Sequence, residues 1–340
     1  MPAPIAGLHH ITAITGAAQT AIDFYAGILG MRLVKTTVNF DDPSPHHLYF
    51  GDMQGSPGTL LTLFPWPRSM PGQIGLGTPA PVAFVIHPDA LMFWRTRLSE
   101  LGYTPVSTHR FGTSVIRFQA HDMLSLALVP AAEGTSTPWS PGSIFNDAVV
   151  LQGLHSITLP TPDLDATTSF FTDTFGWTVT DEQGALRRLK APANRSLQSP
   201  RNEPGRYIDL SARTPPGDGR NGYGTVHHVA FRVATSAMQR TWQDHLRSMG
   251  LDVSDVRDRT YFKSIYFRDR TRTGGVLFEI ATDEPGFTVD EPLQQLGSTL
   301  QLPPDLEERR PELESVLPGL DRTVVDHPPL ADPDVNPHTA

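Results

Sequence analysis

A repeat constrains this chain more than any other feature. The segment GLHHIT at 7–12 returns as GLHSIT at 153–158, an offset of 146 residues. At the same offset Phe24-Tyr25 corresponds to Phe170-Phe171, and Gly30 to Gly176. Halving the offset exposes two more copies. The segments ILGM, ELGY, TFGW and SMGL carry Gly30, Gly102, Gly176 and Gly250, spaced 72, 74 and 74 residues apart. A unit of this size is one supersecondary module that cannot bury its apolar face alone, so the copies must pack on one another.

Each copy reads alike. An apolar strand comes first, at 8–14, 81–87, 153–159 and 225–233. A helix follows, starting near Ala18, Pro88, Asp163 and Ser236. In the first copy Ile22, Tyr25, Ile28 and Leu29 recur at helical spacing and form one buried stripe. Glycine then ends the helix, because it takes the left-handed conformation without a Cβ clash. Two or three strands complete the copy, such as HLYFGD at 47–52, TLLTLF at 59–64, YFKSIYFRD at 261–269 and VLFEIA at 276–281. The expected fold is α+β, four βαβββ modules forming two half-barrels. Modules one and two occupy 1–130, and 131–150 is a linker rich in small residues and proline. Modules three and four occupy 151–284, and 285–340 is a tail with a short helix at 304–316 and no fixed structure over 326–340. The loops 190–205 and 213–224 either cover a site or are plain surface.

Composition excludes several classes of function. With 39% hydrophobic and 19% charged residues the chain is globular, and its net charge of −9 gives no electrostatic reason to bind nucleic acid or an anionic membrane. No apolar run approaches the roughly 20 residues of a membrane helix. The N-terminus lacks the basic segment and apolar core of a secretory signal, which points to the cytoplasm. There is no cysteine, so disulfides, thiolate zinc sites and cysteine nucleophiles are ruled out, and any metal site must use His, Asp and Glu.

The first strands of copies one and four each carry a His-His pair, His9-His10 and His227-His228. Neighbours on a strand point to opposite faces, so one histidine of each pair can face a cavity. Two histidines at equivalent register in two copies make half a metal site. Glu279, inside the apolar strand VLFEIA, is the third candidate, because a buried carboxylate must be paired or bound to a metal. Two histidines and one carboxylate leave coordination positions open, as non-haem iron enzymes require. Arg259 and Tyr266 precede that strand. They can stabilise an oxyanion and move a proton, or be a surface arginine and a packed tyrosine. His155 occupies the place of His9 in copy three and can reach the same cavity. His46 and His47 read as surface or packing residues, and the basic stretch up to 275 reads as strand plus turn. No Gly-rich phosphate loop and no G-x-S-x-G elbow is present.

These motifs resemble the vicinal oxygen chelate superfamily of glyoxalases and extradiol dioxygenases. More narrowly, they are similar to its ring-cleaving hydroquinone dioxygenases. The matching text is LHHIT at 8–12, HLYFG at 47–51, GTLLTLFP at 58–65, VHHVAF at 226–231, DRTYFKSIYFR at 258–268 and GGVLFE at 274–279. The resemblance implies Fe(II), with Mn(II) as the alternative, bound by His10, His228 and Glu279. It places His9, His227, Arg259 and Tyr266 around a small aromatic substrate and dioxygen, in an extradiol-type cleavage by a homo-oligomeric cytoplasmic enzyme. The sequence departs from the family between Tyr266 and Glu279, where RDRTRTGG is longer and more basic than the expected Pro-Gly-Gly turn. Equivalent positions also bear on module pairing. Copy three has Ser156 where copy one has His10, and Asp209 near the place of Glu279, so the expected partner of module four is module one. The rival activity is a glyoxalase-like isomerase or lyase with a fourth ligand, for which TLLTLF supplies no glutamate, and the rival of another kind is a non-catalytic small-molecule binder.

Overall fold

The computed structural model describes residues 2–131, 139, 145–193, 203–213 and 217–322. Most of the expected linker, parts of both loops and the segment 326–340 lie outside the described residues. The first module runs β1 (Leu8–Thr15), α1 (Ala18–Ile22, continued as a wider turn over Asp23–Ile28), β2 (Arg32–Val38), β3 (His46–Gly51) and β4 (Leu60–Pro65). The second has β5 (Val82–Ile86), α2 (Leu91–Glu100), β6 (Val106–Arg110), β7 (Thr113–Gln119) and β8 (Ser125–Pro130). The third has β9 (Leu154–Pro160), α3 (Leu164–Ser169), β10 (Thr178–Gln183), β11 (Leu186–Lys190) and β12 (Tyr207–Ser211). The fourth has β13 (Thr225–Val233), α4 (Ser236–Ser248), β14 (Arg257–Asp258), β15 (Lys263–Arg268) and β16 (Leu277–Thr282). All four repeat glycines have positive φ, from 70° to 81°, which stops each helix and turns the chain back to the sheet.

Two eight-stranded sheets result, each curled into a half-barrel. One runs β14-β15-β16-β13-β1-β4-β3-β2, the other β10-β11-β12-β9-β5-β8-β7-β6. Within a module the first strand pairs parallel to the fourth, and between modules the first strands pair antiparallel, as Ile11 with Val229. The first sheet therefore joins strands of the first and last modules. Away from His9 and His227, strand alternation divides its residues between two faces. Ile11, Val229, Ile265, Phe267, Phe278 and Ile280 enter the apolar core, where Trp242 of α4 packs. His10, Thr12, His228, Ser264, Tyr266 and Glu279 occupy the alternate positions. Thr235 caps α4 by accepting a hydrogen bond from the Met238 amide, and Asp163 caps α3.

The basic stretch after β15 is not a plain turn. Asp269 caps a single helical turn, α5 (Arg270–Thr273), closed by left-handed Gly274. Beyond β16 the chain lies along β2, where the Gln301 amide donates to the Thr36 carbonyl, and then forms α6 (Arg310–Val316). Lys35, fully buried, anchors this segment through Asp290 and Glu291, each at 2.5 Å. A buried ammonium needs such partners. No helix among the described residues is long and apolar enough to cross a membrane.

Candidate metal centre

Both His-His pairs break the simple alternation of their strands. Leu8 pairs with Phe231 and His10 with Ala230, so His9 is an extra residue; on the facing strand His227 is extra between Val226 and His228. Such bulges re-aim side chains. Here they bring both rings of each pair together. His9 Nδ1 lies 2.8 Å from His10 Nδ1, and His227 Nδ1 lies 2.8 Å from His228 Nδ1. The expectation that one histidine of each pair faces the cavity and the other elsewhere holds for His10 and His9, which line different cavities, and fails for His228 and His227, which line the same one.

The outer nitrogens converge. His10 Nε2 and His228 Nε2 are 3.3 Å apart, and Glu279 Oε2 is 3.4 Å from the first and 3.0 Å from the second. All three residues are buried, Glu279 completely. Glu279 Oε1 accepts a hydrogen bond from Ser264 at 2.5 Å. Burial raises the Glu279 carboxyl pKa, but His10 and His228 outweigh it and hold the group ionised. His9 is held neutral, first by burial, and its ring also hydrogen-bonds the Thr282 backbone. In the tautomer where His10 donates from Nδ1 to His9 Nδ1, His10 Nε2 carries a lone pair. Two ring nitrogens and a carboxylate oxygen thus converge on one buried point, a donor set that can hold a cation. Oxygen and imidazole donors fit a divalent first-row metal.

This cluster lies in a cavity of about 310 Å³. One wall is aromatic, with Phe64, Trp66, Phe262 and Tyr49. His227 also lines the cavity, its pKa pushed down to about 3 by burial, then by His228 and Arg268. At the mouth Asp41, between β2 and β3, accepts from Arg257 at 2.8 Å and Arg259 at 2.7 Å. The Arg259 guanidinium stands 5.6 Å over the Tyr266 ring. Burial and Glu279 raise the Tyr266 pKa, so the phenol keeps its proton at neutral pH.

The structure therefore brings His10, His228, Glu279, His227, Arg259 and Tyr266 into one cavity. His9 sits behind His10 and lines a separate cavity of about 190 Å³. His155 does not reach the cluster. It belongs to the other half-barrel, stacked on Tyr207 at 4.9 Å and bonded to Ser156. His46 is buried against the Pro318 carbonyl, and His47 lines the main cavity, so neither is a surface residue. Sequence reasoning also missed Ser264; its signal was alternation, which sets Ser264, Tyr266 and Glu279 on one face.

Fold and site together define the class. The chain belongs to the Glyoxalase/Bleomycin resistance protein/Dioxygenase superfamily, whose model matches residues 7–129 and 153–280. Among individual relatives, MhqO of Bacillus subtilis (strain 168), provisionally named a ring-cleaving dioxygenase, is 40% identical over 92% of this chain and 95% of its own. The chlorohydroquinone/hydroquinone 1,2-dioxygenase of Sphingobium indicum is 34% identical over 92% of this chain and 96% of its own. A crystal structure of a provisionally named Bacillus subtilis dioxygenase superposes with a TM-score of 0.87 at 39% identity, covering 94% of this chain and 99% of that one.

Proposed function

We propose that this chain is a ring-cleaving dioxygenase that opens a hydroquinone or related aromatic diol, extradiol-fashion, with iron(II) held by His10, His228 and Glu279. The observation that carries the reading is the convergence of three buried donor atoms on one point inside a cavity with an aromatic wall. Relatives named as ring-cleaving and hydroquinone dioxygenases support it. Manganese(II) suits the same donor set. The metal, when bound, supplies Lewis acidity and an electron path between ring and dioxygen.

The chain's own groups do the rest. About 310 Å³ is the lower end of small-ligand pockets and holds one substituted ring between Phe64, Trp66 and Phe262. Two histidines and one carboxylate would hold the metal while leaving part of its coordination open to ligands. With His228 Nε2 committed to a metal, its Nδ1 proton goes to His227 Nδ1. Neutral His227 then presents Nε2–H to the cavity as a donor. Arg259, fixed by Asp41 and Tyr266, offers a permanent positive charge to an oxyanion. Tyr266 can hand over its proton and recover it. A glyoxalase-like activity would want a fourth ligand, and β4 brings only Thr62 and Phe64 toward this site. The test is oxygen uptake by anaerobically purified, iron-loaded protein against a panel of hydroquinones, catechols and glutathione hemithioacetals. Uptake with hydroquinones and loss of ring absorbance is expected; isomerisation of a hemithioacetal without oxygen uptake would overturn the reading.

A further inference from the structure

One buried polar row in this half-barrel has no part in the chemistry above. Tyr49 OH lies 3.0 Å from His47 Nδ1, His47 Nε2 lies 2.9 Å from Thr62 Oγ1, and Thr62 Oγ1 lies 2.7 Å from Thr12 Oγ1. The backbone explains the alignment: Tyr49 pairs with Thr62, Thr62 with Thr12, and Thr12 with His228. Thr12 and Thr62 are fully buried, whereas His47 and Tyr49 line the cavity. The imidazole is clamped between the Tyr49 and Phe64 rings, with centroids at 4.2 and 4.3 Å. Tyr49 is also three strands from the His228 strand in the sheet order.

Neutral imidazole has one donor and one acceptor nitrogen, so the row has two complete directions. In one, Tyr49 donates to Nδ1 while Nε2–H donates to Thr62, and the phenolic oxygen offers the cavity a lone pair. In the other, Thr62 donates to Nε2 while Nδ1–H donates to Tyr49, whose own O–H is free to donate. The wall at Tyr49 can therefore accept from a hydroxyl or donate to a carbonyl-like oxygen without gaining charge. Arg259 cannot do this, since a guanidinium only donates. A 1,4-diol held by one oxygen at the triad carries its second oxygen at the far end of the ring. That oxygen begins as a hydroxyl and gains carbonyl character as the ring gives up electrons.

We propose that Tyr49, oriented by the positioning residues His47, Thr62 and Thr12, binds the second oxygen of the substrate and selects a 1,4-diol over a monophenol. This rests on the ring-cleaving reading. The test is anaerobic calorimetric binding of hydroquinone and 4-methylphenol to the metal-loaded protein, with steady-state kinetics on hydroquinone and catechol. One hydrogen bond corresponds to a preference of about tenfold for hydroquinone in the wild-type protein. Tyr49→Phe should abolish the preference. His47→Phe should weaken it and raise KM for hydroquinone more than for catechol, whose oxygens are adjacent, and His47→Gln, which keeps an acceptor, should recover part of the loss. If the wild-type protein cleaves hydroquinone and a folded Tyr49→Phe keeps the full preference, this proposal is wrong while the ring-cleaving reading stands. A wild-type protein that cleaves no diol sinks both.

Discussion

Removing one hydroxyl, that of Ser264, tests how the carboxylate of Glu279 is held. Glu279 is fully buried, and its Oε1 accepts from Ser264 at 2.5 Å while Oε2 faces the imidazoles of His10 and His228. A hydrogen bond to a charged group contributes about 1.5–3 kcal/mol, or roughly 10- to 150-fold in an equilibrium constant. Most of that should fall on metal binding, because the ionised, oriented carboxylate is what the metal needs. Outer partners of metal ligands commonly contribute about 10- to 100-fold in affinity. Ser264→Ala should therefore weaken Fe(II) or Co(II) binding by about that range, and excess metal should restore much of the activity. Ser264→Thr, which keeps the hydroxyl, should stay near wild type. The assay is an anaerobic competition titration against a chelator of known affinity. Wild-type affinity in a folded Ser264→Ala protein would refute the reasoning.

Three other predictions follow from the same geometry. His10→Ala, His228→Ala and Glu279→Ala should each abolish stoichiometric metal binding with the circular dichroism spectrum intact; full iron occupancy in any of them would remove that residue from the ligand set. Arg259→Ala and Tyr266→Phe should keep the metal and lose kcat by about 10²–10³ if each removes an oxyanion or proton contact, which steady-state kinetics on metal-replete protein would show. His155 is held neutral by burial first, then by Arg188, Arg110 and Lys190. The unfolded chain takes up a proton there below about 6.5 and the folded chain does not. The stability this contributes is present above about pH 6.5 and lost as pH falls, at up to about 1.4 kcal/mol per pH unit. Denaturation curves of His155→Phe should flatten between pH 6.5 and 5 by about one proton; an unchanged slope would contradict the assignment.

What the sequence revealed and what it hid have physical reasons. The modules were legible because the helix-ending glycines must adopt positive φ and therefore recur in register at Gly30, Gly102, Gly176 and Gly250. Glu279 was legible as a carboxylate inside the apolar strand VLFEIA, and it is fully buried. The bulges at His9 and His227 were not legible, because an extra residue in one strand is defined only against its pairing partner. The same register shift occurs at His155. His47 and Tyr49 looked like ordinary hairpin residues; only the curl of the sheet brings β3 over the same hollow as β1 and β13. Ser156, standing where the first module has His10, was the sequence's argument for joining the first module to the last, and the sheet order sets β1 beside β13. Asp209 of the other half-barrel meets Arg188 at 2.7 Å, a closed ion pair where Glu279 instead meets two histidines. The single helical turn at Arg270–Thr273 was missed because Asp269 caps a run too short to show periodicity.

The most direct test of the central claim is isotopic. Iron-loaded protein is given hydroquinone under ¹⁸O₂, and the product is trapped by rapid reduction and weighed by mass spectrometry. The account predicts an open-chain unsaturated acid aldehyde, trapped as the alcohol, that carries both labelled oxygen atoms and forms only while His10, His228 and Glu279 are intact. An unlabelled quinone with the ring closed, or labelled product at the wild-type rate from Glu279→Ala, would contradict it.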